Sequence, residues 1–203
     1  NDSQIQLLLF GILTSDKVSG EIRNSMMAIG SSDVIYHKKH LLPFGEYFPV
    51  PDTVRSWLQS MGLPNRDIEH GDIIQGMTQL NNILIAPSIC YEDIFGSELL
   101  GYFPEANLLV NITNNAWFGK SFASEQHFQM SRMRAIETGR YLLRATNTGV
   151  TAIVEPNGTV RKRAQSFEYS LLLGTFEPMI GNTPYIIFGN YLIVVILILN
   201  LFL

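Results

Sequence analysis

A single cysteine, Cys90, is the residue of this chain whose type and position best fit covalent chemistry. It follows the apolar run 83–89 and stands directly before Tyr91 and Glu92. A buried strand that ends on a thiol beside a carboxylate presents that thiol at the edge of a sheet, where a nucleophile is expected. A lone cysteine is also commonly a small buried hydrophobe. The residues upstream of the strand bear on this choice.

A group of titratable residues lies in the segment 36–49, which reads YHKKHLLPFGEYFP. Pro43, Gly45 and Pro49 interrupt any regular element, so the segment is predicted to be a loop. A cation and a carboxylate on such a loop would supply the charge stabilisation and proton transfer that a thiol nucleophile needs. The four histidines of the chain form no H-x-x-x-H pair, so no metal site is indicated. His127 is expected to be a structural hydrogen-bonding residue.

The elements that would position these groups alternate between strands and helices. Apolar runs and turn residues predict strands at 6–13, 21–29, 34–36, 83–89, 106–113, 141–146, 151–155, 159–162 and 170–176. Helical spacing predicts helices at 50–61 and 122–138, and the stretch 64–82 is predicted to be irregular. Strands separated by helices and mixed with hairpins indicate a layered α/β domain.

The predicted helix at 50–61 carries apolar residues on one side, among them Val54, Trp57 and Met61. A short helix of this kind beside a candidate active-site loop either packs on its own domain or lies on a membrane surface. The spacing alone does not separate the two.

Composition excludes some classes of function. The chain has 203 residues, a net charge of −4 and a pI of about 5.5, which argues against a nucleic-acid-binding surface. One cysteine cannot form an internal disulfide, and residues 1–10 do not match a secretory signal peptide.

The C-terminal residues differ from the rest of the chain in forming one long uncharged run. Residues 185–203 contain no charged side chain. A run of this length just reaches the roughly 20 residues that cross a bilayer, and it predicts a transmembrane helix, with a buried helix or strand as the alternative. The expected organisation is a catalytic domain at 1–183 and a membrane segment at 184–203. The run has no basic flank, so its orientation cannot be assigned from the sequence.

Several motifs together resemble one known family. The segments YHKKHLLPFGEYFP, ICYE, NITNNAWFGKS and QHFQMSRMRAIETGRYLLRATNTGVTAIVEPNG follow one another in this chain. They resemble the nitrilase-like domain of the apolipoprotein N-acyltransferase family, and the resemblance covers nearly the whole chain. It implies an α-β-β-α sandwich fold, truncated at its N-terminus, followed by a C-terminal transmembrane helix.

The resemblance also implies roles for particular residues. Cys90 matches the nucleophile, Lys38 the lysine that holds the oxyanion together with the Tyr91 N–H, and Glu46 a second carboxylate near the thiol. Four residues are expected to bind substrate: Tyr91, Glu92, Trp117 and Phe118. The general-base glutamate of the family precedes the first strand, and no counterpart stands before that strand here, so the chain is expected to be a fragment.

The activity that the resemblance implies is acyl transfer at a bacterial inner membrane, with the catalytic domain on the periplasmic side. The acyl chain would pass from a phospholipid, through a thioester on Cys90, to the N-terminal diacylglyceryl-cysteine amine of an apolipoprotein. No cofactor or metal is expected. A nitrilase-type amidase acting on a small-molecule C–N bond is the alternative activity, and a non-enzymatic lipid-binding or partner-binding remnant is a third possibility.

Overall fold

Two β-sheets organise the chain. The computed structural model of the protein describes residues 6–30, 34–61 and 68–201. The first sheet is antiparallel with the order β1-β2-β3, and the second is mixed, with the order β4-β5-β6-β7-β8-β9. The strands are β1 Leu7–Ser15, β2 Ile22–Gly30, β3 Val34–His37, β4 Thr78–Leu80, β5 Ile83–Ile89, β6 Leu108–Thr113, β7 Tyr141–Thr146, β8 Ala152–Val154 and β9 Val160–Arg163.

The two sheets pack face to face, and helices cover the opposite face of the larger sheet. The helices are α1 Asp52–Ser60, α2 Gly96–Leu99, α3 Ala123–Thr138, α4 Pro184–Phe188 and α5 Tyr191–Asn200. Between the sheets, Met26 and Tyr36 belong to one buried cluster with Ile85 and Leu108. On the helical side, Phe128 of α3 is buried in a second cluster with residues of β5, β6 and β7. The described residues therefore form three layers, β-β-α.

Most of the predicted elements are confirmed. The bounds of β5 and β7 agree with the prediction, and the other confirmed strands and α3 differ from it by one or two residues at an end. The sequence Gly30-Ser31-Ser32-Asp33 predicts a hairpin turn between β2 and β3, and residues 31–33 of it lie outside the described residues. Strand β4 was not predicted, because its three residues lie in a stretch that is polar overall.

The strand predicted at 170–176 is wrong. The segment has no regular structure, although Leu172 and Phe176 pack against the core between the sheets. Its carbonyl groups accept hydrogen bonds from side chains of β9, Lys162 to the Leu173 carbonyl at 2.6 Å and Arg161 to the Thr175 carbonyl at 2.7 Å. These side-chain bonds occupy carbonyl groups that a further strand would have used in the sheet ladder.

The predicted second helical layer is not part of the described structure. On the side of the three-stranded sheet that faces away from the larger sheet, Leu8, Ile29 and Ile35 are 44–49% exposed. Two packed sheets with α3 on the outer face of the larger sheet nevertheless agree with the coarser prediction of a layered α/β domain.

The C-terminal segment forms two short helices. Helix α4 ends at Phe188, the next residue Gly189 has a φ of 52° in the left-handed region, and α5 begins at Tyr191. Apolar side chains of α5 are between 45% and 59% exposed from Leu192 to Leu199. Among the described residues, none of the helices combines the length and the apolarity needed to cross a membrane.

Candidate active site

The candidate nucleophile occupies a sharp turn at the edge of the larger sheet. β5 ends at Ile89, and Cys90 begins a 3₁₀ helix that runs to Ile94. The φ angle of Cys90 is 54°, in the left-handed region that non-glycine residues rarely adopt. Backbone strain of this kind persists only where the surrounding structure holds it, and it is concentrated at functional sites. The left-handed conformation of Cys90 therefore marks this turn as a candidate functional position.

The surroundings of Cys90 shift the pKa of its thiol in opposite directions. Burial raises the pKa of this thiol, because a thiolate loses hydration in the interior. The positive charge of Lys38 and the N–H of Tyr91 lower the same pKa without cancelling the effect of burial. A thiol of this kind stays protonated at neutral pH until a base removes its proton.

Lys38 and Glu46 form a buried ion pair. The Lys38 Nζ lies 2.5 Å from the Glu46 Oε2, and the side chains are 2% and 12% exposed. Glu46 also accepts hydrogen bonds from the Leu42 N–H at 2.7 Å and from the Asn24 amide at 2.8 Å. The Lys38 N–H donates to the Asn24 carbonyl. Asn24 thus links β2 to both members of the pair, and the structure brings two predicted site residues together.

The Tyr91 side chain belongs to a group of packed rings with His40 and Phe95. The Lys38 Nζ is 5.8 Å from the centre of its ring, and the rings of His40 and Phe95 pack edge-on against it at 5.4 Å and 5.1 Å. The binding of substrate by Tyr91 stays a prediction.

A cavity of about 420 Å³ opens beside this aromatic group. Its walls combine ionisable and apolar side chains, namely Lys39, His40, Leu41, Tyr47, Ile68, Glu69 and His70. The cavity is large enough to accept part of a small organic molecule.

Glu92 is buried and fully engaged by the protein. Its carboxylate accepts hydrogen bonds from the N–H groups of Lys39, His40 and Ile89 and from the Tyr36 hydroxyl, at 2.6–3.1 Å. Burial raises the pKa of this carboxyl group, and the hydrogen bonds oppose that rise. Glu92 therefore fastens the start of the active-site loop to the end of β5. This arrangement suits a positioning role more than the predicted contact with substrate.

Trp117 and Phe118 follow β6, in a short 3₁₀ helix at Ala116–Phe118. Because β5 and β6 are parallel, their carboxyl ends meet at the same sheet edge, the one that carries Cys90. Trp117 is 77% exposed and Phe118 is 41% exposed. Both rings are thus accessible to a ligand at this edge, and their binding of substrate stays a prediction.

The helix beside the loop is exposed on its apolar side. In α1 and just after it, Val54, Trp57 and Met61 are 40%, 60% and 58% exposed. The sequence left two alternatives for this helix, packing on its own domain or lying on a membrane surface. These three side chains are not packed on the domain.

A buried polar cluster beneath Cys90 was not predicted. Asp93 accepts hydrogen bonds from Arg144 and Ser131, and it lies 2.8 Å from His127, all in the interior. The expectation that His127 is a structural hydrogen-bonding residue is confirmed. The sequence signal for this cluster was two polar residues in mostly apolar strands, Asn111 in LLVNIT and Arg144 in YLLRAT.

Among the described residues, no group of three or more His, Cys, Asp or Glu side chains is placed to hold a metal ion.

Comparison with protein families identifies the region that carries this site. The carbon-nitrogen hydrolase family model matches residues 4–185. Among solved structures, the chain is similar to a carbon-nitrogen hydrolase from Helicobacter pylori G27, with a TM-score of 0.61 and 13% sequence identity over 80% of this chain and 59% of that one. It is also similar to the NitFhit protein of C. elegans, with a TM-score of 0.58 and 20% identity over 79% of this chain and 40% of that one. At these identities the likeness concerns the fold.

Sequence relatives are more similar. The chain is 43% identical over 184 residues to an apolipoprotein N-acyltransferase from Methylococcus capsulatus, a match that spans 91% of this chain and 36% of the relative. It is 42% identical over 187 residues to an apolipoprotein N-acyltransferase from Nitrosomonas europaea, over 92% of this chain and 38% of the relative. The chain thus spans little more than a third of the length of these relatives.

Proposed function

This chain belongs to the carbon-nitrogen hydrolase family, and from that premise we propose that it is the thiol-bearing part of an apolipoprotein N-acyltransferase. The acyl donor is a phospholipid, and the acceptor is the amine of an N-terminal diacylglyceryl-cysteine. The proposal is supported by relatives of that name at 42–43% identity.

The observation that carries the proposal is the placement of Cys90. A cysteine in a left-handed turn at a sheet edge, beside the charges of Lys38 and Glu46, has the placement of a nucleophile whose proton a base removes. A cysteine that served only to fill the core would not need this backbone conformation.

In the first half-reaction, the Cys90 Sγ attacks the ester carbonyl carbon of the phospholipid while a carboxylate accepts the thiol proton. The negative charge that develops on the carbonyl oxygen is stabilised by the Lys38 ammonium and the Tyr91 N–H. The C–O bond to the lysophospholipid then breaks, and the leaving alkoxide recovers the proton. The product is a thioester on Cys90.

In the second half-reaction, the α-amine of the acceptor attacks the thioester carbonyl. The C–S bond breaks as the amine loses one proton to the base, and the Cys90 thiolate that leaves then takes this proton from the base, which restores the thiol. Two substrates that use one thiol in turn give ping-pong kinetics.

The proton acceptor is a separate element of the proposal. The resemblance assigns it to a glutamate that precedes β1. Of the carboxylates that the structure describes, Glu46 lies against Lys38 and Glu92 is held by four donors. We therefore assign Glu46 to holding Lys38 and shaping the site, and Glu92 to positioning the loop.

Membrane attachment completes the proposal. We assign it to the uncharged segment 184–203, with the catalytic domain on the periplasmic side of a bacterial inner membrane. The exposed apolar side chains of α5 support this assignment, because a helix that is apolar all round favours lipid over water.

The proposal is tested with a form of the protein extended upstream of residue 1, where the resemblance places the base, purified in detergent and incubated with phosphatidylethanolamine that carries a labelled acyl chain. Intact-mass analysis is expected to show one acyl group, labile to hydroxylamine, which disappears when a diacylglyceryl lipopeptide is added. Hydrolysis of small amides without any acyl-enzyme from phospholipid would favour the amidase alternative. The absence of both reactions would favour a non-enzymatic role.

A further inference from the structure

Three polar residues form one row across the larger sheet, directly below Cys90. Ser88 of β5 pairs with Asn111 of β6, which pairs in turn with Arg144 of β7. The row two residues earlier on the same face is apolar, and it consists of Ala86, Leu109 and Leu142. Side chains two residues apart in a strand share a face. The polar row therefore interrupts a face that otherwise packs against α3.

Asn111 connects this row to the nucleophile. Its side-chain amide donates to the Cys90 carbonyl oxygen at 3.0 Å and lies 3.0 Å from the Ser88 hydroxyl. Its amide oxygen accepts from Arg144 at 2.9 Å and from the Thr113 hydroxyl at 2.5 Å. The orientation of the amide is fixed by chemistry, since the Cys90 carbonyl can only accept and the Arg144 guanidinium can only donate.

Arg144 is held in turn by the helix that Cys90 begins. Its guanidinium lies 2.6 Å from the Asp93 carboxylate, three residues after Cys90, and its side chain is fully buried. It also donates to the His127 Nδ1 at 3.1 Å. A guanidinium can only donate, so the His127 Nδ1 accepts this bond and Nε2 donates to Asp93. One connected cluster thus holds both the Cys90 carbonyl and the side chain of Asp93.

We propose that Asn111, locked by Arg144 and Thr113, is a positioning residue that keeps Cys90 in its left-handed conformation. The inference rests on the proposed role of Cys90 as the nucleophile. A non-glycine residue leaves this conformation unless its surroundings hold it. The bond from Asn111 restrains the carbonyl of the strained residue itself, and Asp93 restrains the next turn. Together they fix the thiol relative to the Tyr91 N–H and the charge of Lys38.

The test compares two isosteric substitutions in the same strand region. Asn111→Asp keeps the oxygen that faces Arg144 and Thr113, but it removes the donor to Cys90, since the carboxylate beside Arg144 is held ionised. Asn107→Asp is the matched control at the opposite end of β6. Asn107 also donates to a carbonyl, that of Met179 at 3.2 Å, and accepts from the Leu84 N–H at 2.8 Å.

Two quantities are measured for each variant. One is the pH dependence of the rate at which iodoacetamide alkylates Cys90, and the other is the melting temperature. For Asn111→Asp we expect the midpoint of the pH profile to rise by about one unit, which leaves about a tenth of the thiolate at pH 7. The kcat of acyl transfer should fall while KM stays unchanged. Asn107→Asp should lower the melting temperature without moving the profile.

Thr113→Val is the deciding variant, because the carboxylate of Asn111→Asp also raises the pKa of the thiol through its charge, whereas Thr113→Val adds no charge, removes one bond to Asn111 and keeps the side-chain shape. Its profile should move in the same direction by a smaller amount. A folded Asn111→Asp or Thr113→Val with the wild-type profile overturns the inference. Alkylation requires no lipid, so a wild-type protein that forms no acyl-enzyme would contradict the proposed function and leave this comparison valid.

Discussion

Lys38 and Glu46, whose charged groups lie 2.5 Å apart, act on the Cys90 thiol with opposite sign. The ammonium lowers the pKa of the thiol, the carboxylate raises it, and burial raises it further. The pair therefore limits how far the lysine can favour the thiolate. It also holds the lysine in a fixed place, where it can stabilise an oxyanion that forms on the substrate.

Replacement of Cys90 by alanine or serine should abolish acyl transfer in a folded protein. A serine hydroxyl at the same site is a much weaker nucleophile, because its pKa lies far above that of a thiol. The measurement is acyl-enzyme formation from phospholipid by intact mass, with circular dichroism as the check of folding. A Cys90→Ser protein that keeps most of its turnover would show that the nucleophile lies elsewhere.

Lys38→Met should move the midpoint of Cys90 alkylation to higher pH. Removal of the positive charge leaves burial and the Glu46 carboxylate, both of which raise the pKa of the thiol. The expected midpoint lies well above the ordinary thiol value of about 8.5. Lys39→Met is the control, since the Lys39 ammonium lies over the Tyr36 and Tyr102 rings instead. Equal profiles for the two variants would contradict the placement of Lys38 beside the thiol.

Substitution of the same two lysines should also have different effects on the kcat of acyl transfer. An oxyanion donor contributes about 2.7–4 kcal/mol to the transition state, so Lys38→Met should lower kcat by about a hundredfold or more. Lys39→Met should lower stability through its lost ring contacts and leave kcat nearly unchanged.

Glu46→Gln should move the alkylation midpoint in the opposite direction. The amide removes a negative charge that raises the pKa of the thiol, so the thiolate should form at lower pH than in the wild-type protein. Acyl transfer should nevertheless fall, since Lys38 loses its fixed partner. A midpoint that rises or stays unchanged would mean that the carboxylate does not act on the thiol.

Glu92→Gln should destabilise the fold by about 1–3 kcal/mol, the cost of leaving buried donors without an acceptor. Each carboxylate oxygen of Glu92 accepts two hydrogen bonds, and an amide nitrogen at either position would lose both. Glu98→Gln is the control, because Glu98 is 39% exposed and has one ring partner, His40. Its effect should stay within about 0.5 kcal/mol. Urea unfolding of both variants gives the comparison, and equal effects would exclude the positioning role of Glu92.

The sequence allowed most of the strands, and the position of Cys90 at the end of one of them, to be predicted because each has a local signal. β5 is a mostly apolar run that ends at Ile89, directly before Cys90, and the Asn157-Gly158 pair marks the turn between β8 and β9. The hydrogen bonds of the segment 170–176 could not be predicted in this way. Whether such an apolar run joins a sheet depends on which side chains reach its carbonyl groups, and here Arg161 and Lys162 do so.

The polar row below Cys90 shows a second limit of local patterns. Asn111 and Arg144 each stand fourth in their strands, at the same height, but only the parallel register makes them neighbours. Asp93 joins them from a helix that starts at Cys90. A single polar residue in an apolar strand therefore indicates a partner without identifying it. Glu92 was assigned to substrate by resemblance, and its burial was visible only in three dimensions.

The C-terminal segment gives the last prediction, which concerns attachment to lipid. Val194 lies near the centre of the uncharged run 185–203 and is 46% exposed in α5. A lysine at the centre of a membrane-spanning helix costs about 2.5–3.5 kcal/mol. Val194→Lys in the 203-residue chain should therefore strongly reduce its flotation with phosphatidylethanolamine–phosphatidylglycerol vesicles. Met133→Lys is the control, because Met133 is an apolar residue of α3 with a similar exposure of 47%. If the two variants float equally well, the segment does not attach the protein to the membrane, and the exposed side chains of α1 become the next residues to test.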